Sequence, residues 1–309
     1  MLEKRIRILN LDNSVTAQRA LAAGYETEII DLTDLGPKVR FWMGGGIREE
    51  LLRRIPERGG GRVTFLGSGD FHHVTELLLS RFEEPVSLVD FDFHQDWDST
   101  SSTLHCGSWV SRAMGRQNIR KCVILGASSK DFSFFSLQAG DLALLKDDRL
   151  EIYPYSSKPG AVFFKSVPDN ISIAKKEYPF LTRIFWNELK GKNIKEFFLG
   201  VIDRLPTDKV YITIDKDCLA DEAALTNWDQ GEMPLDCLIE ILKMIKDNRE
   251  IVGMDITGDY SPVRTDGMLK NAILRLNHPH NIKAAGLSAP SIAAANELTN
   301  LKILGSVIS

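Results

Sequence analysis

Four of the six histidines in this 309-residue chain, His72, His73, His94 and His105, fall in one short stretch beside Asp70, Asp90, Asp92, Asp96 and Asp98. The segment from Val89 to Asp98 begins as an apolar strand and turns polar at its C-terminal end, where open α/β sheets place their ligand crevice. Asp92, His94 and Asp96 alternate, so an extended backbone aims all three side chains to one side. Three such groups without a counter-charge would repel one another and lose solvation, whereas a divalent cation converts the same groups into ligands.

A second strand end has the same character. Lys209-Val-Tyr-Ile-Thr-Ile214 runs straight into Asp215-Lys-Asp217, whose carboxylates also share a side. A third contribution comes from Gly67-Ser-Gly-Asp-Phe-His-His73, where an apolar run ends in a glycine turn and presents two adjacent histidines, of which one suffices as a ligand. Carboxylates and imidazoles on neighbouring strands suit a hard or borderline cation such as manganese or zinc. Cys106, Cys122, Cys218 and Cys237 form no C-x-x-C pair, which argues against a structural zinc site and a disulfide framework.

The elements that must position these groups follow from the apolar pattern. Short apolar runs at 5–11, 62–66, 86–91, 121–126, 150–155, 209–214 and 250–255 alternate with segments of helical period, as expected for parallel strands joined by crossover helices. Helices are predicted over 194–205 and over 234–247, the latter with Pro234 in its first turn. The stretch 128–190 is less regular and reads as an insertion or lid, and no domain boundary interrupts it. The glycine triplets at 44–46 and 59–61 lack the residues of a phosphate loop and read as turns. His278 and His280 flank Pro279 in a turn and are expected to face solvent.

Hydrophobic residues make up 43% and charged residues 26%, an ordinary globular balance. A net charge of −4 leaves no global positive field for a phosphate backbone, so nucleic acid is not an expected partner. No apolar run is long enough to span a bilayer, and the first residues lead into no signal-like apolar stretch, so no membrane association and a cytoplasmic location are expected.

The chain resembles the arginase/ureohydrolase superfamily, which includes arginases, agmatinases, formiminoglutamases and, more distantly, histone deacetylases. Ser68-Gly-Asp-Phe-His-His73 is similar to the family's G-G-D-H-S, Asp92-Phe-His-Gln-Asp96 to D-A-H-x-D, and Ile214-Asp-Lys-Asp217 to S-x-D-x-D. The closest likeness is to a branch carrying G-S-G-D-F-H-H. These motifs lie within about residues 62–262 and are far more specific together than singly.

The resemblance implies one three-layer α/β/α domain over 1–309 with a mainly parallel sheet, and two divalent ions, usually manganese, with zinc, iron or cobalt as alternatives. His72 or His73 with Asp92, Asp96 and Asp215 would hold one ion, and Asp92, His94, Asp215 and Asp217 the other. A water bridging the pair would attack a trigonal carbon, with Asp96 and His105 as catalytic residues and His105 returning a proton to the leaving amine. A small-molecule substrate and a possible homo-oligomer are expected.

The departures concern the substrate. Gly253-Met-Asp-Ile-Thr-Gly258 is similar to G-M-D-V-V-E, but Gly258 stands where the family has its guanidinium-binding glutamate, and the loop after Asp217 is replaced. Asp229, Asp259 and Trp228 are therefore the candidates for substrate contact. The leading expectation is a binuclear hydrolase of a non-peptide carbon–nitrogen bond in a guanidino, formimino or amide substrate. The alternatives are a mononuclear zinc amidohydrolase of the deacetylase kind and a non-catalytic metal-binding scaffold.

Overall fold

The computed structural model describes residues 4–57, 62–128, 132, 134–278 and 286–308. The strands in chain order are β1 Arg5–Asn10, β2 Glu26–Asp31, β3 Trp42–Met43, β4 Val63–Gly67, β5 Val86–Phe91, β6 Leu104–His105, β7 Ile119–Leu125, β8 Leu150–Tyr153, β9 Gly160–Phe163, β10 Ile173–Tyr178, β11 Leu181–Trp186, β12 Lys209–Asp215 and β13 Glu250–Thr257. Eight of them form one sheet in the order β2-β1-β4-β13-β12-β5-β7-β8. Every neighbouring pair in it is parallel.

The inner strands β4 and β5 are buried at every position, which is why they read as unbroken apolar runs. All seven runs expected as strands lie in this sheet. The eighth strand, β2, was missed because Glu26-Thr-Glu-Ile-Ile-Asp31 is a half-exposed edge with polar residues at most positions.

Each face of the sheet carries its own apolar core. One includes Leu77, Leu88, Trp109, Ile124 and Leu145, and the other Phe65, Val89, Phe198, Ile212 and Leu242. The helices Ile194–Asp203 and Leu235–Asn248 cover the second face, turning Phe198, Val201, Ile202, Leu238, Ile241 and Leu242 inward. This is the expected three-layer α/β/α arrangement. No described helix is long and apolar enough to cross a membrane.

Within 128–190 the described residues include a helix at Phe134–Ala139 and a three-stranded antiparallel sheet, β10-β11-β9. Gly45 and Gly46 do not form a free turn but open the helix Gly45–Arg54, while residues 59–61 lie outside the described residues.

Candidate metal centre

The cluster assembles where β4, β5 and β12 end. β5 pairs with β12 from Val210↔Ser87 to Ile214↔Phe91, so the next residues, Asp92 just past β5 and Asp215 at the end of β12, come out side by side. The turn after β4 is closed by Ser68, whose hydroxyl caps Asp70 N–H, and delivers His72 to the same place. Gly69 is needed there because a Cβ would stand 2.6 Å from Asp215 Oδ2.

The side chains converge tightly. His72 Nδ1 lies 2.9 Å from Asp92 Oδ2, 3.5 Å from Asp96 Oδ2 and 3.8 Å from Asp215 Oδ2. His94 Nδ1 lies 3.1 Å from Asp217 Oδ2 and 3.5 Å from Asp92 Oδ1. Among the described residues, His72 Nδ1, Asp92 Oδ2 and Asp217 Oδ2 are buried without a hydrogen-bond partner. Atoms at this spacing that are not aligned as donor and acceptor, each costly to bury unpaired, suit a common cation.

Charge balance points the same way. Burial and the Asp92 charge push Asp96 up to about 7. Burial, Asp217 and Asp92 raise Asp215 well above the carboxylate range, and burial and Asp92 raise Asp217. Burial also opposes charge on Asp92, yet the bonds and charges of His72 and His94 hold it below the usual range. His72 is held well above an ordinary imidazole despite its burial because Asp92 and Asp96 favour positive charge at that point. Left to itself, the group cannot keep all its carboxylates ionised. His72, Asp92, Asp96 and Asp215 could hold one ion, and Asp92, His94, Asp215 and Asp217 a second.

The backbone and neighbouring side chains orient these groups. Asp92 Oδ1 accepts His94 N–H at 2.6 Å, Asp217 Oδ1 accepts Phe93 N–H at 3.1 Å, and Asp96 Oδ2 accepts Trp109 Nε1–H at 2.7 Å. His72 Nε2 meets Thr213 Oγ1 at 2.9 Å, and that hydroxyl donates to Asp255 Oδ1 at 2.7 Å. Tyr211 and Thr75 donate to the same carboxylate. A hydroxyl donating to Asp255 can accept from His72 Nε2–H, so Nδ1, directed at Asp92, is the nitrogen a cation would take in place of a proton.

Thr213→Val keeps the shape but strands Nε2, and metal affinity is expected to fall about 10–100-fold in a metal titration. Parental affinity in that variant would remove Thr213 from the site.

His73 is placed apart from the group: it is buried, lies outside the cavity lining, and burial pushes it down to about 3. The adjacent histidines therefore separate, His72 to the cluster and His73 to the interior. Asp90, on the same face of β5 as Asp92, is also buried without a partner and comes within 3.9 Å of His72 Nε2.

A cavity of about 220 Å³ opens above the cluster, walled by Phe41, His105, Cys106, Gly107 and Trp228. His105 accepts Gly107 N–H on Nδ1 at 3.1 Å and sets Nε2 3.4 Å from Asp98 Oδ2, while Asp98 Oδ1 accepts Thr100 N–H at 2.7 Å and so holds the turn as well. Trp228 lines the cavity as expected, its indole N–H donating to Asp70 Oδ1 at 3.0 Å.

The other two candidates for substrate contact are not at this cavity. Asp229 is half-buried outside the lining. Asp259 is turned away, ion-paired with the buried Lys216 at 2.8 Å and accepting from Gln18 at 2.7 Å, because an ammonium sealed between strand ends requires a counter-ion. His278 does not face solvent: it is buried with Nε2 2.9 Å from Asp70 Oδ1. His280 lies outside the described residues.

Sequence reasoning missed Thr213, Tyr211, Asp255, Arg40, Phe41 and the pairing of Asp98 with His105. Tyr211 and Thr213 could have been found, since they precede Asp215 at strand spacing and share its face. Arg40 and His278 reach Asp70 across 30 and 208 residues, with no local signal.

No family model matches the chain. An uncharacterised protein of Thermotoga maritima is 27% identical over 201 residues, covering 65% of this chain and 59% of that protein, less than two thirds of its length. Among solved structures, formimidoylglutamase from Bacillus subtilis aligns over 98% of this chain and 87% of its own at 16% identity and a TM-score of 0.54. Arginase from Bacillus caldovelox aligns over 99% of both chains at 13% identity and a TM-score of 0.54. Agmatine ureohydrolase of Thermoplasma volcanium covers 98% of this chain and 89% of its own at 13% identity and a TM-score of 0.52. The chain has the arginase-like α/β fold shared by these three structures.

Proposed function

We propose that the protein is a metal-dependent hydrolase of the arginase/ureohydrolase superfamily that cleaves a non-peptide carbon–nitrogen bond in a small molecule. The observation that carries this reading is the placement of Asp92 between His72 and His94, with Asp96, Asp215 and Asp217 around it, beneath a cavity. The solved structures of like fold are named for hydrolases of formimino and guanidino compounds, which supports the reaction class.

Asp92 and Asp215 would be shared between two ions, His72 and Asp96 completing one set and His94 and Asp217 the other. Bound there, divalent ions supply Lewis-acid polarisation of the substrate and make water acidic near neutral pH. Oxygen-rich sets with one imidazole each suit manganese, with zinc, iron or cobalt as alternatives.

The chain's own groups do the rest. Phe41 and Trp228 wall the cavity against water. His105 stands at the cavity wall as the group that, in its imidazolium form, gives the leaving nitrogen a proton. His105→Asn is expected to lower kcat about 100-fold with metal content unchanged.

Burial holds His105 below its ordinary value, and Asp98 pulls against that. Asp98→Asn removes the upward pull, so an activity limb governed by His105 should move to lower pH. An unmoved limb would detach Asp98 from this role.

The direct test is metal analysis followed by a screen for released amine, ammonia, formamide or urea from amides, formimino compounds and guanidines. About two ions per chain with turnover supports the proposal, and two ions with no turnover on any class overturns it. The compact group of Asp92, His94 and Asp217 could alone hold a single zinc, the second reading, and one ion per chain would select it.

A further inference from the structure

The carboxylates around the cavity are unevenly committed. Asp92, Asp96, Asp215 and Asp217 belong to the cluster itself. Of the carboxylates around it, Asp90 and Asp255 are sealed beneath the cluster, and three more are each engaged by a cationic or imidazole side chain: Asp70 by Arg40 at 2.5 Å and His278 at 2.9 Å, Asp259 by Lys216 at 2.8 Å, and Asp98 by His105 at 3.4 Å. None of these three lines the cavity. Asp98 lines an adjoining cavity that shares Asp96, His105 and Gly107 with this one.

Gly258 closes the remaining route. Its φ is +85°, and a Cβ there would stand 2.5 Å from Asp215 Oδ1 and 2.6 Å from the backbone nitrogen of Lys216. The position has no room for any side chain, an acidic one included.

The walls offer no substitute counter-charge. Phe41 and Trp228 have ring centroids 5.9 Å apart at 33°, so they pack on each other and leave no gap for a cation between them. Trp228 is further boxed by the edges of His94 and His278. Cys106, also in the wall, offers a thiol and no carboxylate. A guanidinium or amidinium entering this cavity would lose its hydration without a carboxylate fork to replace it.

We propose that the cavity takes an uncharged carbonyl substrate, a small carboxamide, and that Cys106 and Gly258 are the residues that set this preference over guanidines and amidines. The inference rests on the hydrolase reading above. In the reaction, the oxygen of one water bonds to the carbonyl carbon and the C–N bond breaks with its electron pair on nitrogen. Both water protons end on that nitrogen, giving a carboxylate and an ammonium.

Acetamide and acetamidinium have nearly the same shape and differ in charge, so they isolate the effect. Calorimetric titration of each into the manganese-reconstituted protein is expected to show acetamide binding at least about tenfold more tightly. Cys106→Asp, which places a carboxylate on the wall, should reverse the order, whereas Cys106→Asn should retain it. Near-UV circular dichroism and metal content establish that each variant is folded and loaded.

Equal or tighter binding of acetamidinium to the parent protein overturns the proposal. So does turnover of methylguanidine or formamidine without turnover of N-methylformamide or N-methylacetamide, a result that would leave the hydrolase reading standing. Failure to turn over either class would instead overturn the hydrolase reading, while the binding comparison still decides the charge preference.

Discussion

Replacing Asp92 by alanine is expected to abolish binding of both proposed ions and with it all turnover, because this carboxylate lies within reach of both His72 and His94. Metal analysis after reconstitution should give about two ions per chain in the parent and none in Asp92→Ala. The double variant with Asp215→Ala should behave the same way. Stability carries an independent signature. Ligands that bind only the folded chain stabilise it by mass action, about 4 kcal/mol for one site at a free concentration 1,000 times Kd. For a chain of this size that corresponds to roughly 10 °C in Tm. Chelator should therefore lower the Tm of the parent by about that amount and leave Asp92→Ala unmoved. The chelated parent has buried acids that cannot all ionise, whereas the variant has one fewer, so its metal-free form should melt no lower than the metal-free parent. Two ions bound to Asp92→Ala would refute the assignment.

Gly258→Ala is expected to cost about 3 kcal/mol or more and to weaken metal binding. A left-handed backbone costs a residue with a Cβ about 1–3 kcal/mol, and a forced contact in a packed site adds a similar amount. One obstacle is the backbone nitrogen of Lys216, which cannot swing aside, and the other is Asp215 Oδ1, which already accepts Asp217 N–H at 3.1 Å. Relief of the clash must therefore move a proposed ligand. Gly258→Glu should fare no better and should not produce guanidine hydrolysis. Thermal melts of the chelated proteins separate the structural cost from the metal effect. A Gly258→Ala variant with parental Tm and two ions would show that the backbone here can relax.

The two substitutions probe different kinds of information. Asp92 was legible from spacing, since alternation at the polar end of an apolar strand is a local property and strand geometry carries it directly into space. The same holds for Asp215 and Asp217, for the seven sheet strands recognised as apolar runs, and for the two amphipathic helices that cover one face. Gly258 was legible only as a missing glutamate, because the contact that forbids a side chain comes from β12, more than forty residues earlier in the chain.

By itself, the sequence determined the layered fold and the strand ends that carry the acids, because periodicity and burial are repeated over many residues and tolerate local exceptions. Only the tertiary structure decided which of His72 and His73 meets those acids, since one residue of rotation in a short helical turn separates an inward ring from one sent into the core. It likewise turned Asp259 toward Lys216 and away from the cavity, drew Asp98 to His105, and brought Arg40 and His278 onto Asp70. These are pairings of single charged groups across long separations, chosen by which counter-ion is within reach once the chain is packed, and no local pattern encodes that choice.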